Sequence, residues 1–419
     1  MAAAAPGHIA QLAAVVASNT QRIDAYLAEK GLPQPSFDAS GPFDLQLPEE
    51  LEQCRQAALL AGEELNELLQ GPRELLYTHQ HNRSVYLQFI ARYNIVQLVP
   101  VDGDISFADL AAKIGVDSTA VTRILRFAIA YRLFAEPRPG FVAHSNASKL
   151  ILQDAGMGDW FHSSVEDMWP AGQRTVDALQ KWPAASEPNQ TGFSLANNTD
   201  GSFFEELGKD PARARRFGGA MSFFISGPEY AASHLTEGYG WDKLGESATV
   251  VDVGGSHGDV AVSLATKFPK FKVIVQDLPP VLAGAPKLAD GVQVEFMPHD
   301  FFQEQPVKDA DAYLFRWVLH DWSDVYCVKI LRALIPSLKK GASIVIMESI
   351  TPPPGVLPNP IERKLRAMDI TMMEIGNARE RGLDEWQALF KEADSRFAFQ
   401  GVIQPPGSRL AILELKWDA

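Results

Sequence analysis

The stretch ATVVDVGGSHGDVAVSLATKF, residues 248–268, decides the fold. Thr249 to Val253 are β-branched or apolar apart from Asp252, which predicts a strand buried on both faces. Gly254, Gly255 and Gly258 break that strand, and Asp259 opens an apolar-periodic helix through Val260, Ala261, Leu264, Ala265 and Phe268. A strand, a glycine turn and a helix form the front half of a Rossmann-type nucleotide site. Glycines let a ligand approach the backbone, and the helix N-terminus offers unpaired N–H groups. The same pieces also occur where a glycine turn merely packs a helix on a sheet, so the neighbouring residues must separate the cases.

Three features do so. The dinucleotide spacing G-x-G-x-x-G would need a glycine where Val253 stands. Asp252 ends the strand, placed to accept hydrogen bonds from a cationic amino-acid tail. KVIVQDLP then predicts a second strand over 272–276 that ends in Asp277, where a carboxylate accepts from both hydroxyls of a ribose, with Leu278 beside it. The ligand that satisfies all three is S-adenosylmethionine.

Outward from this core, strands are predicted at 249–253, 272–276, 292–296, 311–316 and 342–347, alternating with helices. FAFQGVIQPPGSRLAILELKW closes the chain as an antiparallel hairpin. A mostly parallel sheet ending in such a hairpin is the class I methyltransferase arrangement. Towards the N-terminus, helical periodicity covers 8–29, 48–70 and 74–97, with a Pro/Gly/Ser-rich linker after the first helix that is too polar to pack deeply. Residues 104–144 then read as a winged helix-turn-helix: a helix Phe107–Ile114, a Gly turn, a cap at Asp117 and Ser118, a helix Thr119–Tyr131 and a hairpin at Pro139–Gly140. The second helix shows Val121, Ile124, Leu125, Phe127, Ile129 and Ala130, with Arg123 and Arg126 as its cations, so it is expected to pack on protein rather than read DNA. The domain organisation expected is therefore an N-terminal helical, winged-helix dimerisation domain over 1–150 and a methyltransferase domain over 151–419, divided into a helical substrate cap (151–240) and a Rossmann-like α/β core (241–419).

Composition narrows the functional classes. The 419 residues are 46% hydrophobic and carry a net charge of −14, which argues against general nucleic-acid or anionic-membrane partners. Cys54 and Cys327 have neither metal-ligand nor disulfide spacing, pointing to a reducing, cytoplasmic setting. The apolar N-terminus lacks a basic flank, so no signal peptide is expected, and no transmembrane run appears. No compact His/Asp cluster suggests a metal.

The chemistry-bearing residues fall after the predicted strands. Asp300 and Phe301 follow the third, where a carboxylate takes an adenine amino group and a ring stacks on the base. Arg316 ends the fourth, with His320 next at the ligand edge beside Asp321 and Trp322. Glu348 ends the fifth, and Glu380 lies in a loop before a later helix. Two carboxylates converging on one imidazole would orient it and stabilise its protonated form. DWFHSSVEDMWP and RARRFGGAMSFF mix aromatics and methionines with polar groups, as walls of an apolar pocket do. His162, Trp169, Phe217 and Met221 are the candidates there, joined by Met368, Met372 and Met373 on a later helix.

VDVGGSHG, VQDLP, HDFF, FRWVLHDWSD, IVIMES and NARER occur in that order. In this the chain resembles the fungal branch of the plant-type O-methyltransferases, over roughly residues 70–419. The resemblance implies S-adenosylmethionine contacts from Gly254, Asp277, Asp300, Phe301 and Arg316, with Gly255 a further candidate in the glycine turn. It implies His320 as general base flanked by Glu348 and Glu380, a small phenolic or polyketide-like acceptor, and a homodimer. Ser256-His257 and Arg316 depart from plant members, which carry a glycine-rich pair and a lysine. Some fungal relatives are pericyclases that use the bound cofactor only as a fixed charge. That reading and a winged-helix DNA regulator are the alternatives to methylation.

Overall fold

The computed structural model describes residues 7–77, 79–285, 287–289 and 291–418. The chain divides into two compact units. One comprises Met1–Trp169 with Arg215–Met221 and Pro358–Arg363; the other comprises Pro170–Ala214, Ser222–Leu357 and Lys364–Ala419.

In the first unit, helices His8–Lys30 and Glu49–Leu76 pack through Ile23, Leu27, Leu51 and Cys54. The linker between them is more engaged than its composition suggests. Leu45 and Leu47 lie on that small core, and Asn146 donates its N–H to the Phe37 carbonyl. The helix expected over 74–97 is broken. The preceding helix runs on to Leu76 through a non-helical Gly71 beside Pro72, and the chain re-enters helix at Asn82–Arg92 and Ile95–Leu98. Asn94, in the left-handed region at φ 50°, separates the last two, a conformation a short amide side chain tolerates. Strands β1 (Ile105–Ser106), β2 (Phe134–Ala135) and β3 (Phe141–His144) form a small antiparallel sheet in the order β1-β3-β2. Helices Phe107–Ile114 and Ser118–Ala130 are capped by the side chains of Ser106 and Asp117. The second helix buries Val121, Leu125 and Ala128, and its exposed Arg126 is paired with Glu136.

The second unit is built on seven strands: β4 (Thr249–Val253), β5 (Lys272–Asp277), β6 (Val294–Pro298), β7 (Ala312–Arg316), β8 (Ser343–Glu348), β9 (Phe397–Ile403) and β10 (Ala411–Trp417). Their order is β6-β5-β4-β7-β8-β10-β9, parallel as far as β8 and antiparallel for the closing hairpin. Each expected strand is present, with ends shifted by a residue or two. The central strands are buried on both faces, which is why VVDV, YLF and IVIM show no alternation. Parallel pairing brings Val253, Asp277, Pro298, Arg316 and Glu348 to the same, carboxyl edge of the sheet. Cys327 is completely buried under that edge and Cys54 is buried in the first unit; burial pushes the Cys327 thiol up to about 12. Among the described residues, no helix is long and apolar enough to cross a membrane.

Candidate active site

The glycine turn after β4 is fixed by both hydrogen bonding and space. Gly254 and Gly255 donate their N–H groups to the Gln276 carbonyl at 2.8 and 3.1 Å. Gly254 has φ +73°, and a Cβ there would stand 2.9 Å from a Val318 methyl; one on Gly255 would stand 2.7 Å from the Asp252 carboxyl carbon. Ser256 follows at φ 51°, and its N–H donates to Asp277 Oδ2 at 2.9 Å, while Leu278 donates to Oδ1 at 2.7 Å. The Leu278 side chain itself is exposed. Asp300 accepts from the Phe302 N–H, and the Phe301 ring lies against Phe302 and Trp322.

Asp252 is buried, and desolvation pushes its carboxyl up to about 7 despite the pull of Arg316. Burial in turn lowers the Arg316 guanidinium from its ordinary value, with Asp252, Asp259 and Glu348 opposing the shift. Arg316 Nη2 donates to the Tyr230 carbonyl, and its buried Nε has no partner. A hard-to-ionise carboxylate beside a guanidinium with an open donor fits a ligand group carrying both an ammonium and a carboxylate. Asp277 accepts two backbone N–H bonds yet keeps lone pairs for hydroxyl donors. These residues therefore fit an amino-acid nucleoside.

His320 lies in a short 3₁₀ turn, Leu319–Asp321, just past β7. Glu380 Oε1 is 2.8 Å from its Nδ1, and Asp321 Oδ1 is 3.4 Å from its Nε2. Burial alone would lower the imidazole; the carboxylates of Asp321, Glu380 and Glu348 outweigh it and raise it to about 10. The ring is stacked at 5.3 Å and 9° on Trp317, itself stacked on Tyr230 and Phe224. Trp317 holds φ 54°, a costly backbone for a bulky residue and one that concentrates at functional sites.

Glu348 acts on the His320 ring through its charge, which raises the imidazole, while its hydrogen bonds go elsewhere. Its Oε1 accepts from the backbone N–H groups of Val318, Leu319 and His320 at 3.0, 2.8 and 3.4 Å, so its hydrogen bonds hold the turn and not the imidazole. The reason is register. Glu348 is the last residue of β8, beside β7, and its side chain meets the chain as it leaves β7. Completely buried, Glu348 is pushed up to about 7 by desolvation, with His320 opposing. Asp321 adds a further carboxylate beside the ring, and its signal in the sequence is simple adjacency.

Met372 is buried on helix Asn359–Gly376 and lines an apolar cleft with Phe203, Phe204, Trp322, Ile375 and Asp321; Met368 and Met373 are half-buried on the same helix. His162, Trp169, Phe217 and Met221 are half-buried in the first unit. Among the described residues, no His/Cys/Asp/Glu cluster suited to a metal occurs.

An O-methyltransferase domain matches residues 199–396, and an O-methyltransferase dimerisation domain matches residues 75–154. O-methyltransferase gsfB of Penicillium aethiopicum is 40% identical, with 98% of each chain covered. The chain belongs to the O-methyltransferase family. Within it, the chlorophenol O-methyltransferase of Trichoderma longibrachiatum is 38% identical to this methyltransferase, over 97% of this chain and 90% of that one. Among solved structures, OxaC in complex with SAH and oxaline has the same fold, with a TM-score of 0.77 at 22% identity over 98% of this chain and 99% of that one. A structure described as a pericyclic reaction enzyme aligns at TM-score 0.67 and 25% identity, over 87% of this chain and 94% of that one.

Proposed function

We propose that this methyltransferase uses S-adenosylmethionine to methylate a phenolic or enolic hydroxyl of a polyketide-like secondary metabolite, works as a homodimer, and uses His320 as general base. The observation that carries the reading is the unequal hold on the His320 ring: Glu380 takes Nδ1 at 2.8 Å and Asp321 approaches Nε2 only to 3.4 Å. With Nδ1–H donated to Glu380, Nε2 is the nitrogen that exchanges a proton with the acceptor. When bound, S-adenosylmethionine supplies an electrophilic methyl group on a sulfonium. Asp252, Asp277, Asp300, Phe301 and Arg316 are the residues proposed to hold it.

The acceptor hydroxyl, with an ordinary phenol pKa near ~10, gives its proton to Nε2 and becomes a competent nucleophile. The carboxylates that raise the imidazole make the neutral ring a strong base for that proton. The cost is that the ring is mostly protonated at neutral pH before ligands bind. A nearby ligand cation lowers it by like-charge repulsion. The apolar lining of the cleft, from Phe203, Phe204, Trp322, Met372 and Ile375, is in keeping with the chlorophenol named for one relative.

A charged His320 also supports a second reading, in which the chain cyclises a polyketide without methyl transfer, as the pericyclic neighbour suggests. One assay separates them. The purified chain is incubated with S-adenosylmethionine and a panel of phenols and phenolic polyketides. Methylation yields S-adenosylhomocysteine and a one-methylene mass gain in equal amounts; an isomerised product with no S-adenosylhomocysteine overturns it.

A further inference from the structure

Arg381 follows Glu380 and is completely buried, an uncommon state for an arginine. Its Nη1 donates to the Leu319 carbonyl at 3.2 Å and its Nη2 to the Trp322 carbonyl at 2.8 Å, so one guanidinium brackets His320 on both sides along the chain. Its Nε donates to Asp324 Oδ1 at 2.8 Å, and its Cζ lies 4.9 Å from the Trp386 ring centroid. The Arg381 carbonyl accepts from Thr351, and the residue bridges to Ile350, two positions past Glu348. The His320 turn is thus held twice: its N–H groups by Glu348, its carbonyls by Arg381.

We propose that Arg381 is a positioning residue that fixes the Glu380 loop against the His320 turn and thereby sets the Nδ1–Glu380 contact. A planar fork with fixed donor geometry suits this task, since both carbonyls must be reached at once. Without it, Glu380 would keep its own tie from the Glu380 N–H to Asp369 Oδ1 at 2.9 Å but would lose its registration with the ring. The inference rests on His320 acting as the base.

The test compares Arg381→Lys and Arg381→Met with the unaltered chain. Four quantities are read: cofactor affinity by calorimetry, the acceptor KM, the pH profile of kcat, and the His320 titration by NMR. Arg381→Lys keeps the cation and loses the fork. The expected result is a fall in kcat of about 10- to 100-fold, the scale of a small misplacement of reacting groups. Cofactor affinity stays unchanged, and the His320 midpoint drops because Glu380 no longer sits on Nδ1. Wild-type kcat and pH profile in folded Arg381→Lys overturn the inference. So does a rate loss with an unmoved His320 titration, and so does failure of both variants to fold, which makes Arg381 a folding residue only. An unaltered chain that forms no S-adenosylhomocysteine sinks the methyl-transfer reading instead, and the His320 titration still reads Arg381 without turnover.

Discussion

Asp321 Oδ1 lies 3.4 Å from His320 Nε2, the one ring nitrogen that Glu380 does not hold. The Asp321 charge is the largest of the influences that raise the His320 imidazole. Asp321→Asn should therefore bring His320 down, and the rising limb of kcat against pH should move to lower pH. A limb that stays in place would show that Asp321 does not set the proton affinity of the ring.

His320→Ala should cut turnover by at least about a hundredfold, the usual contribution of a positioned general base. Part of the activity should return as pH approaches the acceptor's own pKa, because the hydroxyl then ionises without help. Steady-state rates from neutral to alkaline pH check this, and a variant with full product formation would remove His320 from the proton-transfer step.

For Glu348 the structure predicts that shape matters more than charge. Glu348→Gln keeps an oxygen for the N–H groups of Val318 and Leu319, whereas Glu348→Leu leaves both buried and unpaired. Two such groups cost roughly 2–6 kcal/mol of folding free energy at 1–3 each, and Glu348→Gln should cost under half of that. Urea titrations measure both, and equal losses would contradict the assignment.

Cofactor affinity should rise with pH through about 7, where Asp252 loses its proton. The sign follows from the chemistry: only the ionised carboxylate attracts an ammonium, so binding releases a proton that buffer-dependent calorimetry detects. Asp277→Ala should weaken binding by about 1.5–3 kcal/mol, the range for hydrogen bonds to a charged group. PH-independent affinity would argue that Asp252 is not the ammonium partner.

The effect of ionisation on stability has a definite direction. His320, Glu348 and Asp252 all have folded-state values raised above their ordinary ones. The native state then holds protons that the unfolded chain has released, and stability from these groups declines with rising pH. For the two carboxylates the decline runs from about 4 to 7; for His320 it runs from about 6.5 to 10. Melting temperature of the ligand-free protein, followed from pH 7 to about 10, should fall with the His320 contribution, and His320→Ala should flatten the curve.

The sheet was legible because apolar runs such as VVDV and IVIM state burial on both faces, and the residues that end them share one edge by topology. The end of IVIME places Glu348 at that edge, but its hydrogen-bond target is hidden in the sequence. Whether a carboxylate meets a ring or a backbone turn depends on how two adjacent strands end, which spacing along the chain does not record. Nothing in the run NARER marks Arg381 as buried, because only tertiary packing brings it beneath the His320 turn. The break at Asn94 is hidden in the sequence because apolar residues continue at helical spacing on both sides of it.

Both thiols of the chain are buried, and that of Cys327 is held far above neutrality. Phenols oxidise to quinones, and quinones alkylate thiolates. On the proposed phenol-methylating function, the protein offers its own chemistry's by-products no ready sulfur nucleophile at Cys327, and electrophilic reagents should label that position only once the native fold has opened.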